Sequence, residues 1–121
     1  MNKGDIVKVK ATVETLYGDR VSEPEPETIH SAGNTVNHKN LYRFETSFTG
    51  VVLGITRRAT GVYFGCGPVA GLEYEPAGLG VDKYHPVWMV ADLHGQQYHA
   101  PIACLESDLE VIQEVPCPPT F

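Results

Sequence analysis

The stretch PVWMVADLHGQQYHAPIACLESDLEVI, residues 86–112, decides the fold that the sequence predicts. In residues 87–93, every second side chain is apolar, at Val87, Met89, Ala91 and Leu93, and the side chains between them are mixed. This period of two is typical of a strand with one buried face. His94-Gly95 supplies a turn, and a second extended segment over residues 97–100 ends at Pro101, because proline has no N–H for a sheet ladder. Residues 102–107 predict one short 3-10 turn, and residues 109–112 predict a closing strand. These elements indicate an all-β fold.

The remaining strand signals point to the same class. Residues 5–16 alternate valine or alanine with lysine, threonine or glutamate, as expected for a half-buried strand. Residues 48–56 are apolar but contain Gly50 and Gly54, which predicts a strongly bent strand with a bulge. Residues 57–61 are interpreted as a hairpin connection to a returning strand at 62–66. We therefore expect a small, strongly bent antiparallel barrel of five or six strands with almost no α-helix.

Two long segments carry turn-forming residues and are predicted as loop insertions. Residues 17–46 contain a Pro-Glu run, although Leu41–Phe44 has strand character and could form a small hairpin with part of the same loop. Residues 67–84 are rich in glycine and proline and fit neither a phosphate-binding nor a dinucleotide-binding pattern. The sequence thus predicts one domain over residues 1–115, with insertions at 17–46 and 67–84, and an extended tail at 116–121.

Composition limits the classes of function. The chain of 121 residues has a net charge of −6, so nucleic-acid binding is not expected. It has no apolar run of secretory or membrane-spanning length, which predicts a cytoplasmic location without a membrane partner. Cys66, Cys104 and Cys117 are distant from one another and form no CxxC pair, so we expect no disulfide framework, metal site or cofactor, and a buried thiol at Cys104.

The order of these parts resembles the Src-homology-3-like (SH3-like) small barrel. Within that class the sequence is most similar to the plasmid-borne type II dihydrofolate reductases, which share a Gly-Asp-x-Val opening, a Gly-x-Val-Val-Gly bend and a Pro-Val-Ala-Ala-Leu-Glu ending. The corresponding residues here are Gly4–Val7, the bend from Gly50 to Gly54, and Pro101–Glu106. The resemblance implies the barrel fold. A weaker resemblance to the β subunit of nitrile hydratase would imply a partner chain.

The catalytic residues of those reductases are not retained. The family has a Gln-Ile-Tyr triplet before the proline, where this chain has Tyr98-His99-Ala100, and it has two lysines where this chain has Val9 and Lys10. The resemblance therefore carries the fold without the activity.

The first functional hypothesis is a non-enzymatic interaction or ligand-binding module that uses the long loops, with a protein, a peptide or a small molecule as its ligand. Its candidate ligand-binding residues are Tyr42, Tyr84, His85, Trp88, Tyr98 and His99. Arg57 and Arg58 form a basic pair that could hold a carboxylate or phosphate. The apolar residues on both faces of residues 87–93 predict a homo-oligomer.

Two alternatives stay open. A small homo-oligomeric enzyme could use His85, His94 or His99 with Asp92 for acid–base chemistry in a site shared between subunits. A nucleic-acid-binding barrel would need its few basic residues to gather on one face.

Overall fold

The computed structural model describes residues 1–18, 21, 26–63 and 79–114, and these residues form an all-β protein. Its elements are β1 (Ile6–Tyr17), β2 (Glu27–His30), β3 (His38–Tyr63), β4 (Leu79–Asp92), β5 (Ile102–Cys104), a 3-10 turn (Glu106–Asp108) and β6 (Leu109–Gln113). The described residues contain no α-helix, so none could cross a membrane as a long apolar helix. The predicted all-β class with five or six strands and one 3-10 turn is confirmed. Residues 102–104, which the sequence predicted as part of that turn, form β5 instead.

The six strands form one antiparallel sheet in the order β2-β3-β4-β5-β1-β6, with an additional pairing between β3 and β1. Strand β1 pairs with β5 at Val13 and Ala103, and its first residues pair with β6. Among the described residues the sheet is not closed, and β2 and β6 are its two edges. The β3–β1 pairing is compatible with an SH3-like barrel, which stays a prediction.

The described residues divide into two compact units. Unit 1 comprises the described parts of Met1–Val13, Phe44–Arg57 and Pro86–Phe121. Alternation along β1 places Lys8 on the exposed face and its valine neighbours inside, which is why the strand can supply a core. The core cluster of unit 1 consists of fully buried Val7, Val9, Val52, Val90 and Cys104. The expectation of a buried thiol at Cys104 is confirmed.

Strand β3 passes close to β4 within unit 1 at Gly50. A Cβ at Gly50 would overlap the Cγ1 atom of Val90 and would lie 2.8 Å from the carbonyl oxygen of Ala91. Gly54 has a φ of +153°, a backbone conformation that residues with a side chain rarely adopt. The two glycines of the predicted bend therefore have different roles, one steric and one conformational.

Unit 2 comprises the described parts of Glu14–Arg43 and Arg58–His85. Strand β2 pairs with the start of β3, so the hairpin predicted around Leu41–Phe44 is present. Thr28 pairs with Tyr42, but the next pair joins His30 to Leu41, so Ile29 is an extra residue in β2. This β-bulge turns His30 to the face of fully buried Leu41, whereas a regular ladder would place it opposite Asn40.

The predicted loops and connections differ from the structure in several places. The segment 17–46 contains β2 and the beginning of β3, and residues 79–84 belong to β4. The hairpin predicted at residues 57–61 is wrong, because β3 continues through them to Tyr63. Gly61 is needed there for close packing rather than for a turn, since a Cβ would overlap the carbonyl oxygen of Gly80 and lie 3.0 Å from the Asp82 nitrogen.

The predicted strand over residues 97–100 is also wrong. The carboxylate of Asp92 accepts the backbone N–H groups of Gln97 and Tyr98, at 3.0 and 3.2 Å, and so uses two donors that a sheet ladder would need. Several predicted features lie outside the described residues, namely residues 23–25 of the Pro-Glu run 23–27, residues 67–78, the tail at 116–121, Cys66 and Cys117. The single-domain organisation stays a prediction.

Candidate functional site

Two grooves in unit 2 border the connection between β2 and β3. The first has a volume of about 470 Å³ and its lining includes Gly18, Thr28, Ser31, Asn34, Asn40 and Tyr42. The second has a volume of about 400 Å³ and its lining includes Ala32, His38, Val62, Val81 and Asp82. The described residues that line the first groove all come from the segment 17–46, in which the sequence predicted a recognition loop. Its neutral polar lining and the mixed lining of the second groove give the two grooves different chemistry.

Asn40 anchors the wall of the first groove. Its buried side-chain oxygen accepts the backbone N–H of Ala32 at 2.8 Å, and its Nδ2 atom donates to the carbonyl oxygen of Gly33 at 3.0 Å. The same Nδ2 donates to the hydroxyl oxygen of Tyr42 at 3.3 Å. Because that hydroxyl accepts from Asn40, its own hydrogen can point to a bound molecule. Tyr42, which lines the groove, therefore has a hydroxyl that can donate to a ligand.

Gly33 and His38 close the turn between the grooves. The Nδ1 atom of His38 accepts the backbone N–H of Thr35 at 3.2 Å and lies 2.7 Å from the hydroxyl oxygen of Thr35, which places the ring proton of a neutral His38 on Nε2. The ring lies against Gly33, where any Cβ would overlap it. Gly33 lines the first groove and His38 the second, so this contact fixes the wall between them.

A chain of polar contacts, which we call the histidine cluster, joins His30, Asp82, His85 and Thr60. The Nε2 atom of His30 lies 2.7 Å from the Oδ2 atom of Asp82, and the His30 and His85 ring centres are 4.7 Å apart. The Nε2 atom of His85 lies 2.9 Å from the hydroxyl oxygen of Thr60. That hydroxyl donates to the carbonyl oxygen of Lys83 at 3.4 Å, so His85 is the donor to Thr60.

Burial controls the charge of His85. The side chain is 8% exposed, and the desolvation that follows lowers its pKa from the usual 6.5. The His30 ring and the Lys83 ammonium lower this pKa further, whereas the Asp82 carboxylate raises it. The surroundings of His85 in the folded protein therefore favour its neutral form.

The structure divides the predicted ligand-binding residues between the two units. In unit 2, Tyr42 is buried at the first groove, His85 belongs to the histidine cluster, and Tyr84 is 55% exposed. Both arginines of the basic pair lie within β3. Arg57 ends the second segment of unit 1, and Arg58 begins the second segment of unit 2. The basic pair therefore projects from a strand, where successive side chains point to opposite faces.

In unit 1, Trp88 packs against the core cluster and Tyr98 against Phe48, with ring centres 5.0 Å apart. The hydroxyl of Tyr98 donates to the hydroxyl oxygen of Thr46 at 3.3 Å. His99 is exposed. Trp88 and Tyr98 thus both have packing roles in this unit.

Asp92 contacts His94 through the backbone of His94. The Asp92 Oδ1 atom accepts the backbone N–H of His94 at 3.1 Å, while Oδ2 accepts those of Gln97 and Tyr98. These bonds, led by that from Gln97, lower the pKa of Asp92. Asp92 organises a turn whose glycine, Gly95, has a φ of +61°.

The sequence did not indicate His30, Asn40, Thr60 or Asp82. His30 and Asp82 are 52 residues apart, and Thr60 and His85 are 25 apart. Only the register of β2, β3 and β4 brings them together, and the bulge in β2 has no glycine to mark it. No group of three or more His, Cys, Asp or Glu residues in the described part of the chain could hold a metal ion.

Comparisons with known proteins found no relative: no family model matches the chain, and neither a curated protein nor a solved structure is significantly similar to it.

Proposed function

We propose that this protein is a non-enzymatic ligand-binding module and that the first groove is its binding site. The observation that supports the proposal best is a groove of about 470 Å³ whose described lining residues all belong to the segment 17–46. Small-molecule sites generally have volumes of about 300 to 1,000 Å³. The groove therefore has room for a ligand the size of a sugar.

The groove's lining favours an uncharged ligand that forms several hydrogen bonds. Its polar side chains are hydroxyls and amides, including Thr28, Asn34 and the oriented hydroxyl of Tyr42. The described part of the lining contains no Lys, Arg, Asp or Glu, so these residues offer no opposite charge to a bound phosphate or carboxylate. We therefore propose a neutral polyhydroxy compound, such as a sugar or polyol, as the class of ligand.

Removing the hydroxyl of Tyr42 tests this proposal. Tyr42→Phe keeps the ring and leaves Asn40 its bond to Gly33, so we expect a loss of stability of only about 1 kcal/mol. Wild-type protein should show a rise in melting temperature with increasing concentration of one neutral sugar or polyol, by mass action on the folded state. The variant should lose most of that rise in a thermal-shift assay against a panel of sugars, polyols, inorganic phosphate and citrate.

Tyr84→Phe is the matched control, because it removes the same atom from an exposed tyrosine outside the groove lining. It should retain the ligand-dependent rise. An equal rise in wild type and Tyr42→Phe would contradict the proposed site, and a rise with phosphate or citrate alone would contradict the proposed class of ligand.

The enzymatic alternative now has its best support in the His30–Asp82 contact, because a carboxylate paired with a histidine is a common acid–base arrangement and Asp82 lines the second groove. Nucleic-acid binding has the least support, given 9 basic and 15 acidic residues. A cytoplasmic location remains part of the proposal.

A further inference from the structure

The second groove has a carboxylate in its lining, unlike the described lining of the first groove. Its described lining residues all belong to unit 2 and include Ala32, His38, Val62 and Asp82. Asp82 is the only aspartate, glutamate, lysine or arginine among these described residues. The volume of about 400 Å³ lies within the range of small-molecule sites, about 300 to 1,000 Å³. The groove therefore has room for a small molecule that carries a positive charge.

Asp82 contributes a carboxylate with one oxygen open to a ligand. Its Oδ2 atom accepts a hydrogen bond from Nε2 of His30 at 2.7 Å, and its side chain is 53% exposed. Among the described residues, no hydrogen bond to Oδ1 is present. A guanidinium group generally binds a carboxylate through both oxygens, whereas an ammonium group is a point charge that can bind one. The contact with His30 therefore favours an ammonium group as the partner of Oδ1.

Apolar side chains lie in the same groove as this carboxylate. Ala32 and Val62 both line the groove, and both are only partly buried, so part of each side chain is open to a ligand. An aliphatic group bound against them would lose contact with water, which favours binding. Residues 64–78, which join β3 to β4 in the sequence, include no lysine or arginine, so that connection has no cation of its own to offer Asp82.

We propose that the second groove binds a primary aliphatic amine as its ammonium ion, with the ammonium group on Oδ1 of Asp82 and the aliphatic chain against Ala32 and Val62. The carboxylate supplies the opposite charge, and the net charge of −6 adds a general attraction for cations. The described linings of the two grooves share no residue. This second site therefore goes beyond the proposed function and does not depend on it.

Three probes with the same aliphatic chain test the class of ligand. n-Hexylamine, 1-hexanol and hexanoate are titrated into the isotope-labelled full chain at pH 8 and constant ionic strength, and the NMR shifts of the backbone amides give each dissociation constant. We expect hexylamine to shift the amide signals of Ala32, Val62 and Asp82. It should bind at least about tenfold more tightly than 1-hexanol, because a hydrogen bond between opposite charges is stronger than one with a neutral donor. Hexanoate should not bind in this groove.

Two pairs of variants locate the site. Asp82→Asn removes the charge and keeps an oxygen that can accept from His30, and it should raise the dissociation constant of hexylamine at least about tenfold. Glu14→Gln, at an exposed carboxylate of unit 2 outside the described lining, should leave that constant unchanged. Val62→Thr keeps the shape of the side chain and should weaken binding severalfold, whereas Val36→Thr, at a residue that is 59% exposed and outside the described lining, should not.

Dispersed amide signals show whether each variant is folded, and if Asp82→Asn does not fold, the comparison of Val62→Thr with Val36→Thr decides. Equal affinities for hexylamine and 1-hexanol, or no saturable binding of hexylamine, would overturn the proposal. Equal effects of Asp82→Asn and Glu14→Gln would overturn the site, and tighter binding of n-hexylguanidine would overturn the choice of an ammonium group. Tyr42→Phe should keep wild-type hexylamine binding, so a failure of the first groove is distinguishable from a failure of the second.

Discussion

His85 shows how one residue's surroundings control its charge and, through it, the pH dependence of folding. Burial, the adjacent His30 ring and Lys83 lower its pKa below 6.5, and Asp82 only partly offsets them. Because the folded state favours neutral His85, the unfolded chain binds a proton first as the pH falls. The contribution of His85 to stability is complete above about pH 6.5 and is lost as the pH falls through its lowered folded-state pKa.

We therefore expect the free energy of unfolding to decrease more steeply below pH 6.5 in wild type than in His85→Gln, whose side-chain amide can still donate to Thr60. Urea denaturation between pH 8 and pH 5 measures the difference. His99→Gln, a change at an exposed histidine, serves as the control and should keep the wild-type slope. A wild-type slope in His85→Gln would mean that another group causes the pH dependence.

At the scale of elements, the surroundings of Gly50 and Gly54 in β3 differ. We therefore expect substitution by alanine to destabilise the protein more at Gly50 than at Gly54. Gly50→Ala introduces a methyl group against fully buried Val90 and should cost about 3 kcal/mol, near the upper end for overpacking. Gly54→Ala has open space around its Cβ and meets only the strain of a positive φ, so it should cost about 1 kcal/mol. Chemical denaturation of both variants measures these costs, and a larger cost at Gly54 would contradict the close approach of β3 and β4.

Elements with a regular alternation could be predicted from the sequence, and irregular ones could not. The valine–lysine alternation of β1 and the pattern of residues 87–92 identify strands, because one face of each is buried. Strand β2 has only four residues, and its residues 27–29 are exposed, so no apolar period marks it. The continuation of β3 through Arg57 and Arg58 was missed because adjacent charges and a following glycine also favour a turn.

At the scale of the whole molecule, the thiol of Cys104 reports on the integrity of unit 1. Burial and the nearby carboxylate of Asp108 raise its pKa to about 12, so its reactive thiolate is scarce in the folded protein. In the double variant Cys66→Ser/Cys117→Ser, we expect iodoacetamide at pH 8 to label Cys104 at least about a thousandfold more slowly in buffer than in denaturing urea. Mass spectrometry gives both rates, and comparable rates would mean that the core of unit 1 opens readily.

The candidate sites were less predictable than the fold because they depend on pairing between distant segments. Tyr42 and His85 were singled out as aromatic and titratable residues, and they do lie at the first groove and in the histidine cluster. Asn40 and Thr60, which orient them, are ordinary strand residues in the sequence. Their roles arise from the register between strands, which a single sequence does not contain.

Because of the bulge at Ile29, deleting a residue from β2 and inserting one have unequal effects on the position of His30. Deleting Ile29 would restore a regular ladder and still leave His30 opposite Leu41, on the face of the histidine cluster. Inserting a residue between Ile29 and His30 and restoring a regular ladder would place His30 opposite Lys39, on the same face but two residues away from Leu41 along β3. The length of this short strand thus determines whether the cluster can form, and a homologue with a single-residue gap at position 29 could retain it.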